Sequence, residues 1–199
     1  MTDQVTATHF KHLYDLLLTM QVTDRRGMAL SPDEGVNQAV KAILNVGTRP
    51  GKVMVIGNGG SAAIASHMQS DLCKAVGVRA MVFNEAPLLT ALTNDLGYQC
   101  VFERPAALWA DAGDLMVAIS SSGQSDNILQ AVRAAAGRGC RLITLSGFSA
   151  ANPLRQLGDI NFYIASSDYG YVEAAHAAVT HFLTDSAAEA RSRKRKSRD

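Results

Sequence analysis

With 199 residues, 47% of them hydrophobic and 19% charged, the chain reads as one soluble globular domain able to close a full core. No apolar run approaches the roughly 20 residues of a membrane span, and the start, MTDQVTATHF, lacks the basic and apolar regions of a signal peptide. The net charge of +1 hides a mildly acidic body and a basic end, because six of residues 191–198 are Lys or Arg.

Residues 7–24 place Phe10, Leu13, Leu16, Leu17, Met20 and Val22 near a helical period, interrupted by Arg25-Arg26-Gly27. A second helix is announced by Ser31 as N-cap, Pro32 at the first helical position and Glu34 completing a capping box. Val36, Ala39, Val40, Ile43, Leu44 and Val46 form its stripe, and Gly47 ends it. Residues 1–50 are therefore expected to be a helical extension that packs on the sheet and on copies of itself.

From residue 53 onward short apolar runs alternate with helical patterns. Strands are expected at 53–56, 80–83, 115–119, 141–145 and 160–164. Helices are expected at 61–75, within 86–94 and 98–110, at 126–137, near 152–157 and at 171–189. Such alternation implies an α/β fold, a doubly wound five-stranded parallel sheet of order 2-1-3-4-5 over residues 51–190. Residues 191–199 are left as a basic, solvated and disordered tail, with nucleic acid not expected as its partner. Cys73, Cys100 and Cys140 are odd in number and in no CxxC pair. They suit reduced thiols in a cytoplasm and speak against a zinc-thiolate site.

In that topology ligands bind beyond the carboxyl ends of the strands where the order reverses. Two loops meet there. Gly57-Asn58-Gly59-Gly60-Ser61 links the first strand to a helix, with Ser61 in position to cap it. Ser120-Ser121-Ser122-Gly123-Gln124-Ser125 precedes the helix at Asp126. Both loops aim backbone N–H groups and a helix dipole at one point, and the second adds hydroxyls, a neutral cradle for an anion. Gly57-x-Gly59-x-x-Ala62 also satisfies the dinucleotide fingerprint, with Glu85 as a ribose ligand. The spacing to Glu85 exceeds the usual gap of about 20 residues, and pyrophosphate has no use for the hydroxyl cradle. No nucleotide cofactor is expected.

These residues carry a resemblance. GNGGSAA at 57–63, TNDLGY at 93–98, GDLMVAISSSGQSDNILQAV at 113–132 and the final histidine-bearing helix resemble the sugar isomerase (SIS) domain family over roughly residues 35–190. Within it they look most like phosphoheptose isomerases, which interconvert sedoheptulose 7-phosphate and D-glycero-D-manno-heptose 7-phosphate. The resemblance implies a homotetramer with its site at a subunit interface. It also implies that Ser61, Ser120, Ser121, Ser122 and Ser125 bind the sugar phosphate, with Asn58, Gly59, Gly60 and Asp95 lining the site.

Moving a proton between adjacent carbons through an enediol needs a base, an acid and oxyanion stabilisation. His67 and Asp71 lie at i, i+4 on one helix face, and Glu173 and His181 lie two turns apart on the last helix. The family places a His, a Glu, a Gln and a second His at such positions around zinc, with the Glu and the last His transferring protons. By that resemblance His67, Asp71, Glu173 and His181 are the metal ligands, and Asp71 and His181 the catalytic pair. Asp71 stands for Glu and Glu173 stands near the expected Gln. His176 points away from His181, as an interface or supporting residue. Those two departures, with the basic tail, leave one alternative: a non-catalytic SIS scaffold of the kind that binds a sugar phosphate or a bacterial replication initiator.

Overall fold

Gln21–Asp24 (β1) and Ala29–Leu30 (β2), expected to end a helix and to lie beyond a break, form an antiparallel hairpin. The helix before it, α1, spans Gln4–Leu18, so Met20 and Val22 fall outside it. Val22 and Thr23 are buried, and Asp24 closes the turn by accepting from the backbone N–H groups of Arg26 and Met28 at 2.8 and 2.9 Å. Apolar residues at 20 and 22 fit a strand period as well as a helical one, and a polar turn with a side-chain acceptor resolves it as a hairpin. The computed structural model describes residues 4–46 and 50–196. The expected stop at Gly47 lies outside them.

The remaining strands are β3 (Val53–Gly57), β4 (Ala80–Met81), β5 (Leu115–Ser120), β6 (Arg141–Ser146) and β7 (Ile160–Tyr163). They run parallel in the order β4-β3-β5-β6-β7, which is the expected 2-1-3-4-5. Among the described residues the sheet nevertheless has seven strands and is mixed, because β1 pairs antiparallel with β7 and carries β2 at the edge. An otherwise open edge of β7 is thereby covered.

Alternate residues of each strand enter opposite layers, as the pleat requires. Val53, Val55, Leu115, Val117 and Ile143 pack beneath α2 (Pro32–Val46), α3 (Gly59–Asp71) and α7 (Tyr169–Lys196). Met54, Ile56, Met116, Ala118 and Leu142 face α5 (Glu103–Trp109) and α6 (Asp126–Gly137). The stripe of α2 thus shares one core with residues beyond 50. Its capping box is formed: Ser31 N–H donates to Glu34 Oε2 at 2.9 Å and Glu34 N–H to Ser31 Oγ at 3.2 Å.

The last helix corrects the expected tail boundary. It runs through Lys196, so Arg191–Lys196 are helical, while 197–199 lie outside the described residues. Arg191 donates to the carbonyls of Val76 and Gly77, both at 2.8 Å, where a π-turn (Leu72–Val76) follows α3. Arg193 pairs with Glu189 one turn back. These contacts offset the repulsion that a run of like charge brings. No described helix is long and apolar enough to cross a membrane.

Candidate functional site

β3 and β5 lie side by side, so the loops that leave them meet at the reversal. The first begins at Asn58, whose extended backbone makes it the N-cap of α3. Ser61, expected in that role, is instead inside the first turn and only 4% exposed. Asn58 has another task. Its Nδ2 donates to Asn127 Oδ1 at 3.0 Å, and Asn127 Nδ2 donates back to Asn58 Oδ1 at 2.8 Å. Tyr98 OH adds a third bond to that Oδ1 at 2.9 Å. One pair of amides therefore ties the two loops together.

In the second loop Ser120 and Ser121 are buried, and Ser122 and Ser125 half-buried. Gly123 N–H donates to the Ser120 carbonyl at 3.1 Å, and Gln124 N–H to Ser122 Oγ at 3.3 Å. Ser125 is the N-cap of α6, but its hydroxyl makes no capping bond. Ser121 Oγ is buried without a hydrogen-bond partner among the described residues. A cleft of about 320 Å³ opens beside the first loop, lined by Asn58, Gly59, Asn84, Leu89, Tyr98 and Phe102. Asp95, expected to line the site, is exposed on α4 (Ala86–Leu96), where it accepts from Asn94, and is not part of that wall. Asn127 and Tyr98 were missed by sequence reasoning. Only the position of Asn127 at the start of a helix beside the serine loop hinted at it.

Two turns along α3 a second cleft, of about 230 Å³, lies between α3 and α7. His67, Asp71 and His181 line it, and their ligand atoms all lie within 4.8 Å of one another. Asp71 Oδ2 is 3.6 Å from His67 Nε2 and 3.4 Å from His181 Nδ1. The two imidazoles meet edge to face with centroids 4.6 Å apart. Four ligands at about 2.0–2.2 Å around tetrahedral zinc stand about 3.3–3.6 Å apart, so this donor set fits the ion with little movement and leaves a position open toward the cleft.

Glu173 does not join that cluster. Its backbone lies two helical turns, about 12 Å along α7, from His181, and its carboxylate rests against Gly60, where a Cβ would have to displace it. His176, fully buried, faces the sheet and bonds the Ser146 carbonyl through Nε2 at 3.2 Å. Burial pushes its imidazole down to about 4, partly opposed by that bond.

Residues 26–147 match the SIS domain family. A phosphoheptose isomerase of Syntrophotalea carbinolica is 32% identical over 192 residues, spanning 93% of each chain. One from Geobacter sulfurreducens is 34% identical over 67% of this chain and 74% of its own length. Among solved structures, the phosphoheptose isomerase of Francisella tularensis superposes with a TM-score of 0.79 at 26% identity, over 93% of this chain and 97% of that one. The Neisseria gonorrhoeae enzyme gives 0.77 at 27%, over 92% and 97%.

Proposed function

The chain belongs to the SIS domain family and, within it, groups with the phosphoheptose isomerases, and from that premise we propose that it is a sugar phosphate isomerase converting sedoheptulose 7-phosphate to D-glycero-D-manno-heptose 7-phosphate. The observation that carries the reading is the convergence of His67, Asp71 and His181 in one open cleft between α7 and the helix that starts at the Gly59–Ser61 turn. Six residues, about 9 Å of helix, separate Ser61 from His67. That span suits an extended sugar phosphate rather than a bare anion.

The phosphate is held by the hydroxyls of Ser61, Ser120, Ser121, Ser122 and Ser125 with the N–H groups at the starts of α3 and α6, helped by both helix dipoles. No cation is needed for a dianion so placed. The loop pair anchors one end of the sugar, so that its carbonyl end lies toward His67, Asp71 and His181. The Asp71 carboxylate takes a proton from C1 of the ketose, giving an enediol, and returns it to C2. His181 moves the compensating proton between O1 and O2. His67, Asp71 and His181 would hold zinc, which when bound supplies positive charge that polarises the substrate carbonyl. Glu173 against Gly60 is placed to accept hydrogen bonds from sugar hydroxyls rather than to ligate the ion.

The site is completed by oligomerisation. Phe10, Tyr14 and Leu18 are spaced four apart on α1 and are 63%, 58% and 64% exposed. Such a stripe is what a partner copy would cover, and a homotetramer in the cytoplasm is the proposed state.

The test is a turnover assay with sedoheptulose 7-phosphate in D2O, paired with metal analysis of the purified protein. Aldose carrying deuterium at C2 and zinc near one per chain are expected. Sugar phosphate binding with neither metal nor exchange would overturn the enzyme in favour of a scaffold.

A further inference from the structure

Two buried side-chain atoms lack a hydrogen-bond partner among the described residues, Ser121 Oγ and His176 Nδ1. Other atoms of these two residues hold one peptide unit between them. The carbonyl of Ser146 accepts from His176 Nε2 at 3.2 Å and from Ile164 N–H at 2.9 Å. The N–H of the same peptide, on Gly147, donates to the Ser121 carbonyl at 2.9 Å. A carbonyl can only accept, so the His176 proton sits on Nε2 and Nδ1 carries a lone pair. Val172, one turn before His176, presses both methyl groups into the space a Cβ at residue 147 would take, so only glycine lets α7 approach. The first turns of α7 thus clamp the Ser146–Gly147 peptide, and that peptide holds the backbone of Ser121.

We propose that His176 is a positioning residue for phosphate binding: through the Ser146–Gly147 peptide it fixes the backbone of Ser121, whose hydroxyl has no partner among the described residues and is left for the phosphate oxygens. A phosphate oxygen would satisfy the Ser121 hydroxyl, which is buried on a residue only 5% exposed and has no partner among the described residues. An unbonded buried donor costs stability unless a ligand takes it up. The arrangement explains the burial of an imidazole that touches no reacting group. The neutral ring is a rigid N–H donor, kept uncharged by its burial. Val172 and His176 lie on the face of α7 that carries the clamp, while Glu173 faces Gly60 and His181 faces the second cleft. One helix therefore sets three parts of the site.

This proposal rests on the phosphate reading of the serine loop, and the experiment separates the two. Binding of inorganic phosphate and of sedoheptulose 7-phosphate is measured for the wild-type chain, His176→Met, His176→Gln, Ser121→Ala and the Met/Ala double variant. His176→Met is expected to weaken phosphate affinity and raise KM about tenfold, the loss of one hydrogen bond to a charged ligand, with kcat within about twofold. His176→Gln, whose amide N–H reaches the place of Nε2, restores affinity. The double variant binds no more weakly than Ser121→Ala. Wild-type affinity in His176→Met overturns the positioning role alone, whereas absence of phosphate binding in the wild type overturns it together with the phosphate reading. Should the Met variant not fold, His176→Asn takes its place. Its amide stops short of Ser146, and equal affinity in the Asn and Gln variants overturns the proposal.

Discussion

Asn58 and Asn127 exchange amide hydrogen bonds across the two loops, at 3.0 and 2.8 Å. They are 69 residues apart in the chain. Each amide satisfies the other, and Asn127 Oδ1 also accepts from Ile128 N–H at 3.0 Å. The pair fixes the separation of the α3 and α6 N-termini, and with it the size of anion they can share.

Asn127→Ala leaves the Asn58 amide with an unpaired donor in a half-buried place. The expected cost is about 1–3 kcal/mol of stability and a KM for the sugar phosphate raised several-fold. Urea unfolding and steady-state kinetics measure the two effects. An unchanged KM would show that the loops keep their spacing without the pair.

Gly60→Ala would drive a methyl group into the Glu173 carboxylate. That carboxylate is the far end of a flexible side chain and can swing aside, so the expected loss stays below about 1 kcal/mol, less than rigid-core overpacking costs. Glu173→Ala should remove most of that loss, because it vacates the space. Denaturation of the single and double variants tests this, and strictly additive losses would mean that the clash is relieved elsewhere.

Asp71→Asn removes the proposed base but not the phosphate loops. The expected result is a drop in kcat of about 10²–10⁴-fold, with the affinity for sedoheptulose 7-phosphate within about threefold of wild type. Calorimetry and the isomerase assay separate the two. A kcat left intact would transfer the role of base to another residue, of which Glu173 is the first to examine.

His176 should make folding sensitive to mild acid. Burial holds its imidazole near 4 in the fold, against about 6.5 in an unfolded chain. Below about 6.5 the unfolded state takes up a proton that the folded state refuses. The contribution is therefore intact above that pH and is lost on the order of 3 kcal/mol as pH falls toward 4. Urea midpoints between pH 7.5 and 4.5 should fall more steeply for the wild type than for His176→Gln. Parallel slopes would contradict a neutral buried ring.

Charge placed on the exposed α1 stripe should dissociate the proposed homotetramer. Tyr14→Glu with Leu18→Glu is expected to lower the sedimentation coefficient toward that of a monomer while leaving the fold intact by circular dichroism, since both side chains are exposed. An unchanged coefficient would move the interface to another face.

Much of this molecule is legible in residue order because its signals are local. Strand–glycine–helix punctuation at 53–61 and 115–126 placed the two loops, and Ser31 with Glu34 announced a helix start that the hydrogen bonds reproduce. The parallel strand order followed from strand–helix alternation and the usual order of a five-stranded doubly wound sheet, which need no knowledge of contacts. The β1–β2 hairpin did not follow, because Met20 and Val22 satisfy two periods at once and only the free edge of β7 chooses between them. Spacing alone put Glu173 and His181 on one side of a helix. Only packing showed that a helix two turns long in that interval delivers them to different places, Glu173 to Gly60 and His181 to Asp71. Partners such as Asn58 with Asn127, or Ser121 with His176 through one peptide, are separated by tens of residues. Their meeting is decided by how layers close on the sheet, a long-range outcome that no window of sequence contains.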